Sequence, residues 1–165
     1  MDFRKITRVL VVFFAILLCA CSKAPEQEIM PVKPDGHYAT QYRMSTVEYS
    51  IFMNTQLVNF ASLVQGRMVA TSQANPIEDS REAEMTRSAL GTMREIKDGV
   101  EAAYPSKGRD DDREDVLEAM DAAIGDMERY LKAVEGGISE GERQSYNGIF
   151  LNDFNTLTAF ADVYH

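Results

Sequence analysis

Few side chains in this sequence are of the kinds that carry out chemistry. Cysteine occurs twice, at Cys19 and Cys21, histidine twice, at His37 and His165, and tryptophan not at all. A di-iron centre in a helical protein takes Glu-x-x-His pairs on facing helices, and the sequence has none. The phosphate loop, the dinucleotide fingerprint and His-Glu-x-x-His are also missing. Met93, Met120 and Met127 fall at helical seam spacing, where methionine is core filler rather than a metal or haem ligand. The acidic run Asp110, Asp111, Asp112, Glu114 and Asp115 lacks the alternating ligands and central glycine of a calcium loop. It reads as charge placed against the positive end of a helix dipole. No catalytic residue, metal or cofactor is expected, and the protein is not expected to be an enzyme.

One cysteine does have a chemical role in view. Arg4, Lys5 and Arg8 precede an unbroken apolar run, Val9 to Leu18, which suits a signal-peptide core and is short for a membrane span. The run ends in Leu18-Cys19-Ala20-Cys21. This resembles the lipobox of bacterial lipoproteins: an aliphatic residue, two small residues, then the cysteine that becomes the mature N-terminus. The resemblance covers only this N-terminal stretch. It implies cleavage after Ala20, making residues 1–20 the signal peptide, and attachment of diacylglycerol to Cys21. Acyl chains contribute about 0.8 kcal/mol per buried methylene, so two or three of them anchor a protein firmly. No thiol would then remain for a disulfide or a redox site.

Residues 21–44 read as a flexible tether. Pro25, Pro31 and Pro34 punctuate a polar stretch with Gly36 just beyond, and each proline removes a donor and disfavours helix at the residue before it. Such a segment spans about 3 Å per residue. Ser22 follows the lipidated cysteine, so the resemblance implies the outer membrane in a Gram-negative host and the cell membrane in a Gram-positive one, on the extracytoplasmic side in either case.

The candidate binding residues need a scaffold, and residues 45–165 supply helices. Ser45-Thr46-Val47-Glu48 has the form of a capping box. Val47, Ile51, Leu57, Val58, Phe60, Ala61, Val64 and Met68 follow as one wide apolar stripe, interrupted by Asn54 and Gln65. Asn54 fixes register or lines a ligand pocket. Asn75-Pro76 opens a second helix, with Glu78, Asp79, Glu82 and Glu84 against its dipole and Met85, Ala89, Met93, Ile96, Val100 and Ala103 as its seam. Tyr104-Pro105 stops it. A third helix carries Leu117, Met120, Ile124, Met127, Leu131 and Val134, spaced like heptads, and ends at Gly136-Gly137. Ser139-Glu140-Gly141-Glu142 caps a fourth. There Gly148 weakens the helix or admits a close neighbour. The expected helices are 46–74, 77–104, 111–135 and 140–164, and nothing alternates with period two. The expected fold is all-α, an up-down-up-down four-helix bundle behind a lipidated N-terminus and tether.

Tyr146, Phe150, Phe154, Phe160 and Tyr164 make the fourth helix aromatic. They either fill the core or leave a binding face. The chain of 165 residues has a formal net charge of −9, and loss of the basic signal segment takes it to −11. That sign excludes a free-standing nucleic-acid binder. Three functional readings stay open: a non-enzymatic binding or interaction module at the cell envelope, a carrier of a small molecule between helices, and a structural spacer. The expected contacts are the membrane, through Cys21, and an envelope protein or small ligand. A homodimer is a further option.

Overall fold

Two serine caps set where the outer helices begin. Ser45 Oγ accepts the Glu48 amide at 3.3 Å while Glu48 Oε2 accepts the Ser45 amide at 2.8 Å. Ser139 and Glu142 repeat the exchange at 3.3 and 3.0 Å. Each box satisfies donors that a helix start leaves open, and the same bonds hold both glutamates below the ordinary carboxylate pKa. In the computed structural model these caps open α1, Thr46–Thr71, and α4, Glu140–Val163. Between them lie α2, Asp79–Ala102, and α3, Asp110–Glu135. The structure describes residues 44–73, 77–104 and 110–164, the last stretch with side chains from 112 onward. The signal segment, Leu18, Cys19, Ala20, Cys21, the tether up to residue 43, and the Asn75-Pro76 and Pro105 breaks lie outside the described residues.

Among the described residues the chain is all-helical, with four helices and no strand. No described helix is long and apolar enough to cross a membrane. The α3–α4 connection turns at Gly137, whose φ of 83° lies in the left-handed region that costs other residues about 1 kcal/mol or more. At its C-terminal end, α1 closes with Thr71 and Ser72 hydroxyls donating to the Met68 and Val69 carbonyls at 2.8 Å each. The Ser72 amide also donates to the Val69 carbonyl at 3.2 Å, the tightened three-residue bond of a closing turn.

All four helices share one core. Tyr49, Met53, Leu57, Phe60 and Val64 enter it from α1, Ala83, Leu90, Met93 and Val100 from α2. Met120, Met127, Tyr130 and Val134 come from α3, and Phe150, Leu157 and Ala161 from α4. The three seam methionines are fully buried. α1 packs most extensively on α4, and α2 on α3.

Two details of the expected stripes are corrected. Val47, Ile51 and Val58 are not core residues but are 68%, 64% and 48% exposed. α1 has apolar residues on its outer as well as its inner side and few charges to set them apart, so periodicity alone does not choose its inner face, and the larger Tyr49, Met53 and Leu57 take it. On α2, Met85 lies at the margin, 37% exposed, because the inner line runs back through Leu90, Thr86 and Glu82. Gly148, offered as a point of close approach, faces open space.

Candidate interaction face

The most consequential polar group is one the sequence did not single out. Glu82, read from the sequence only as one of four acidic residues set against the α2 dipole, is fully buried. Its Oε1 accepts from Arg67 Nη1 at 3.0 Å and from the Tyr130 hydroxyl at 3.1 Å. Arg143 donates to the Tyr130 oxygen at 3.2 Å and to Asp79 Oδ1 at 2.8 Å. One chain of bonds therefore runs through α1, α2, α3 and α4. Two cations and two carboxylates balance in charge, which is what burial of ionised groups demands. Burial first, and then the Glu82 charge, pushes the Tyr130 hydroxyl above its usual range, so it remains a donor. Beside it, the Tyr130 ring meets Tyr146 at 5.1 Å and Phe150 at 5.3 Å, both edge to face.

This cluster ties the four helices together. Arg67 and Glu82 have little access to solvent, with 10% and 1% of their side chains exposed. No group of three or more His, Cys, Asp or Glu placed to hold a metal occurs among the described residues. Residues 137–141, Gly-Ile-Ser-Glu-Gly, have the Gly-x-Ser-x-Gly spacing of a hydrolase elbow. That elbow needs a strand before its serine. Here α3 precedes it, and Ser139 Oγ is engaged in the α4 cap.

The five C-terminal aromatics separate into different surroundings. Phe150 and Tyr164 are buried in the core. Tyr146, Phe154 and Phe160 are half-buried against it. Tyr146 and Phe150 lie 6.1 Å apart near Tyr130, whereas Tyr164 meets Tyr49 at 6.0 Å. An open groove of about 290 Å³ lies between α1 and α2, lined by Ser62, Leu63, Gly66, Arg67, Met85 and Ser88 among others. A second, of about 510 Å³, lies between α2 and α3 among Arg87, Arg94, Glu128 and Glu135. None of the five aromatics lines either groove.

The surface itself is two-sided. α2 and α3 are studded with charge and linked by ion pairs: Arg87 to Glu135 at 2.9 Å, Arg94 to Glu128 at 2.6 Å and Lys97 to Asp121 at 3.1 Å. α1 and α4 present the opposite character. From 49 to 71 the single charged residue is Arg67, and from 144 to 161 it is Asp153. Both point inward, at 8% and 7% exposure. Two asparagines mark the α1–α4 seam: Asn54 donates to the Ala161 carbonyl at 3.0 Å, and Asn147 to the Met68 carbonyl at 2.8 Å. Ile51 and Val58 stand one turn from Asn54, and Leu151 one turn from Asn147, each rotated away from the core. Val69 continues the α1 line. These side chains are 46–64% exposed, with uncharged polar residues such as Thr55, Ser62, Asn155 and Thr158 between them. This produces an aliphatic, uncharged face on an acidic protein.

No protein-family model, curated protein or solved structure matches this chain. The surface and its chemistry therefore carry the functional argument.

A buried carboxylate lies on the side of α4 that meets α3. Asp153 is buried on α4, with Oδ2 making no hydrogen bond to a described residue. Burial raises its pKa to about 6, the Asp126 charge adds to the rise, and Arg129 opposes it. Arg129 is itself bonded to Asp126, which limits what it offers Asp153.

Proposed function

We propose that this chain is a bacterial lipoprotein, held at the extracytoplasmic surface of a membrane through lipid on Cys21, and that its helical domain is a non-enzymatic interaction module. The observation that carries the reading is the uncharged α1–α4 face. An acidic soluble domain gains nothing in solubility from Val47, Ile51, Val58, Val69 and Leu151 in water. Exposed aliphatic surface that no charge interrupts is of the kind that marks sites of association. The Leu18-Cys19-Ala20-Cys21 run supports the address.

The topology we propose is an up-down-up-down four-helix bundle. Contacts between consecutive helices support it: the early residue Met44 bonds the late Tyr104, and the late Arg67 bonds the early Glu82. Arg87 pairs with Glu135 and Lys97 with Asp121. Opposed directions place the start of α1 and the end of α4 at one end of the bundle, and the end of α1 and the start of α4 at the other.

The test is photo-cross-linking in intact cells from the full chain carrying a photoreactive residue at position 58. A discrete protein adduct is expected there and not from position 122 on the charged α3 surface. Equal labelling from both positions, or none from position 58, would refute the module. Fatty-acid labelling of the full chain is expected to disappear in Cys21→Ser, and its persistence would refute the anchor.

A further inference from the structure

We infer that the α1–α4 face is covered by a second copy of this chain, so that the protein works as a two-fold dimer. The inference rests on the interaction reading above and names its partner.

The first argument is charge. Two copies with formal net charges of −9 each repel at most approaches. The α2–α3 surface would set acidic residues against acidic residues, because an isologous contact opposes each patch to its own copy. The α1–α4 face removes that conflict. Between 49 and 71 and between 144 and 161 it exposes no ionised group, since Arg67 and Asp153 point inward. A cationic partner would find no carboxylate there to recognise, and an acidic partner no lysine or arginine. The face suits an occupant that is itself neutral and aliphatic at the contact, and an identical face meets that description.

The second argument is size. The stretch of α1 without an exposed charge is about 34 Å long at 1.5 Å per residue, and that of α4 about 27 Å. Two adjacent helices, each about 10 Å across, then give a face of roughly 600 Å². A specific complex buries about 600–1,000 Å² on each partner. The face is thus large enough for one stable contact, and Val58 lies midway between Val47 and Val69 on it. Asn54 and Asn147 are turned inward onto carbonyls of the neighbouring helix, so each keeps that bond when the face is covered. The remaining exposed polar groups are small hydroxyls and amides, which tolerate a partly hydrated interface. If each copy is anchored by lipid, confinement to a plane raises the effective concentration for the second contact.

Sedimentation velocity on the full-length chain in a mild density-matched detergent tests this. Wild type is expected to sediment as a dimer at micromolar concentration. Val58→Glu, which sets two like charges into the contact, is expected to weaken dimerisation about ten-fold or more with unchanged helical circular dichroism, because Val58 is surface-exposed. Ala122→Glu, on the charged surface, is expected to remain dimeric. A monomeric wild type, a Val58→Glu variant that stays dimeric, or equal loss in Ala122→Glu overturns the inference. The cross-linker at position 58 separates the two levels of the argument. Adducts to a second copy support the dimer. Adducts to a different envelope protein overturn the dimer and leave the interaction module standing. Adducts to lipid acyl chains, or none, overturn both.

Discussion

Replacing Asp153 with asparagine should make the protein more stable, by an amount that depends on pH. The carboxyl titrates near pH 6 in the fold against 3.8 for an unhindered aspartate. Because the folded value is the higher one, the native state holds this proton more tightly than the unfolded chain between those limits. The cost of ionising it in the fold is therefore absent well below pH 4, grows as pH rises through 6, and is constant above. Each pKa unit corresponds to 1.36 kcal/mol, so a rise of about two units amounts to about 3 kcal/mol at neutral pH. Asparagine keeps the shape and never ionises. Urea unfolding should then show wild type and Asp153→Asn within about 1 kcal/mol at pH 4, and the variant ahead by about 3 kcal/mol at pH 7.5. In a thermal melt at pH 7.5 the gain should be roughly 10 °C for a domain of this size. A difference that does not change with pH, or a variant less stable than wild type at pH 7.5, would refute the assignment of a buried, poorly compensated carboxylate.

Breaking the buried clamp should be costly in a way that restoring neutrality is not. Arg67→Met and Glu82→Leu should each lose about 3–5 kcal/mol in urea unfolding, while the double variant Arg67→Met with Glu82→Leu should lose clearly less than the two single losses together. Simple addition would show that the pair is not coupled. At the α4 start, Ser139→Ala should cost about 1 kcal/mol and Ser139→Gly only a few tenths, read from the same unfolding curves. Equal losses would mean that the serine side chain is not what caps the helix.

Where local chemistry decides structure, the sequence was readable. Ser45 with Glu48 and Ser139 with Glu142 announce their helices because the cap is built from residues three apart. Gly136-Gly137 announces the turn because a left-handed φ suits glycine. The α3 seam was readable because polar residues border it closely, so its apolar face is narrow. α1 was harder for the opposite reason. With so few charges, its outer Val47, Ile51 and Val58 look as core-like as its inner Tyr49 and Met53, and only packing against α4 chooses between them. Glu82 was hidden because a carboxylate in the first turn of a helix already has a local explanation in the dipole. Its true partner, Arg67, belongs to another helix, and Tyr130 and Arg143 to two more. The one signal available was an arginine alone in a stretch of α1, residues 49–71, that has no other charge. Such a residue has no exposed ionic setting to join, and a buried counter-ion is the natural place to look. The uncharged face was visible in composition, residue by residue, but α1 and α4 are distant in sequence and become one surface only in the fold.

The Tyr49–Tyr164 contact has a mechanical consequence. It places the beginning of α1 beside the end of α4. A pull between residues 44 and 164 acts across that contact and then reaches Asn54 with Ala161, and later Met68 with Asn147. The bonds are loaded in turn, as in a zipper, and not together as in shear. The four-helix clamp at Glu82 stands level with that last bond, through Arg67 beside Met68 and Arg143 one turn past Asn147. A small tension peels this end open first and brings the apolar side chains of α1 and α4 into water while the far end still holds.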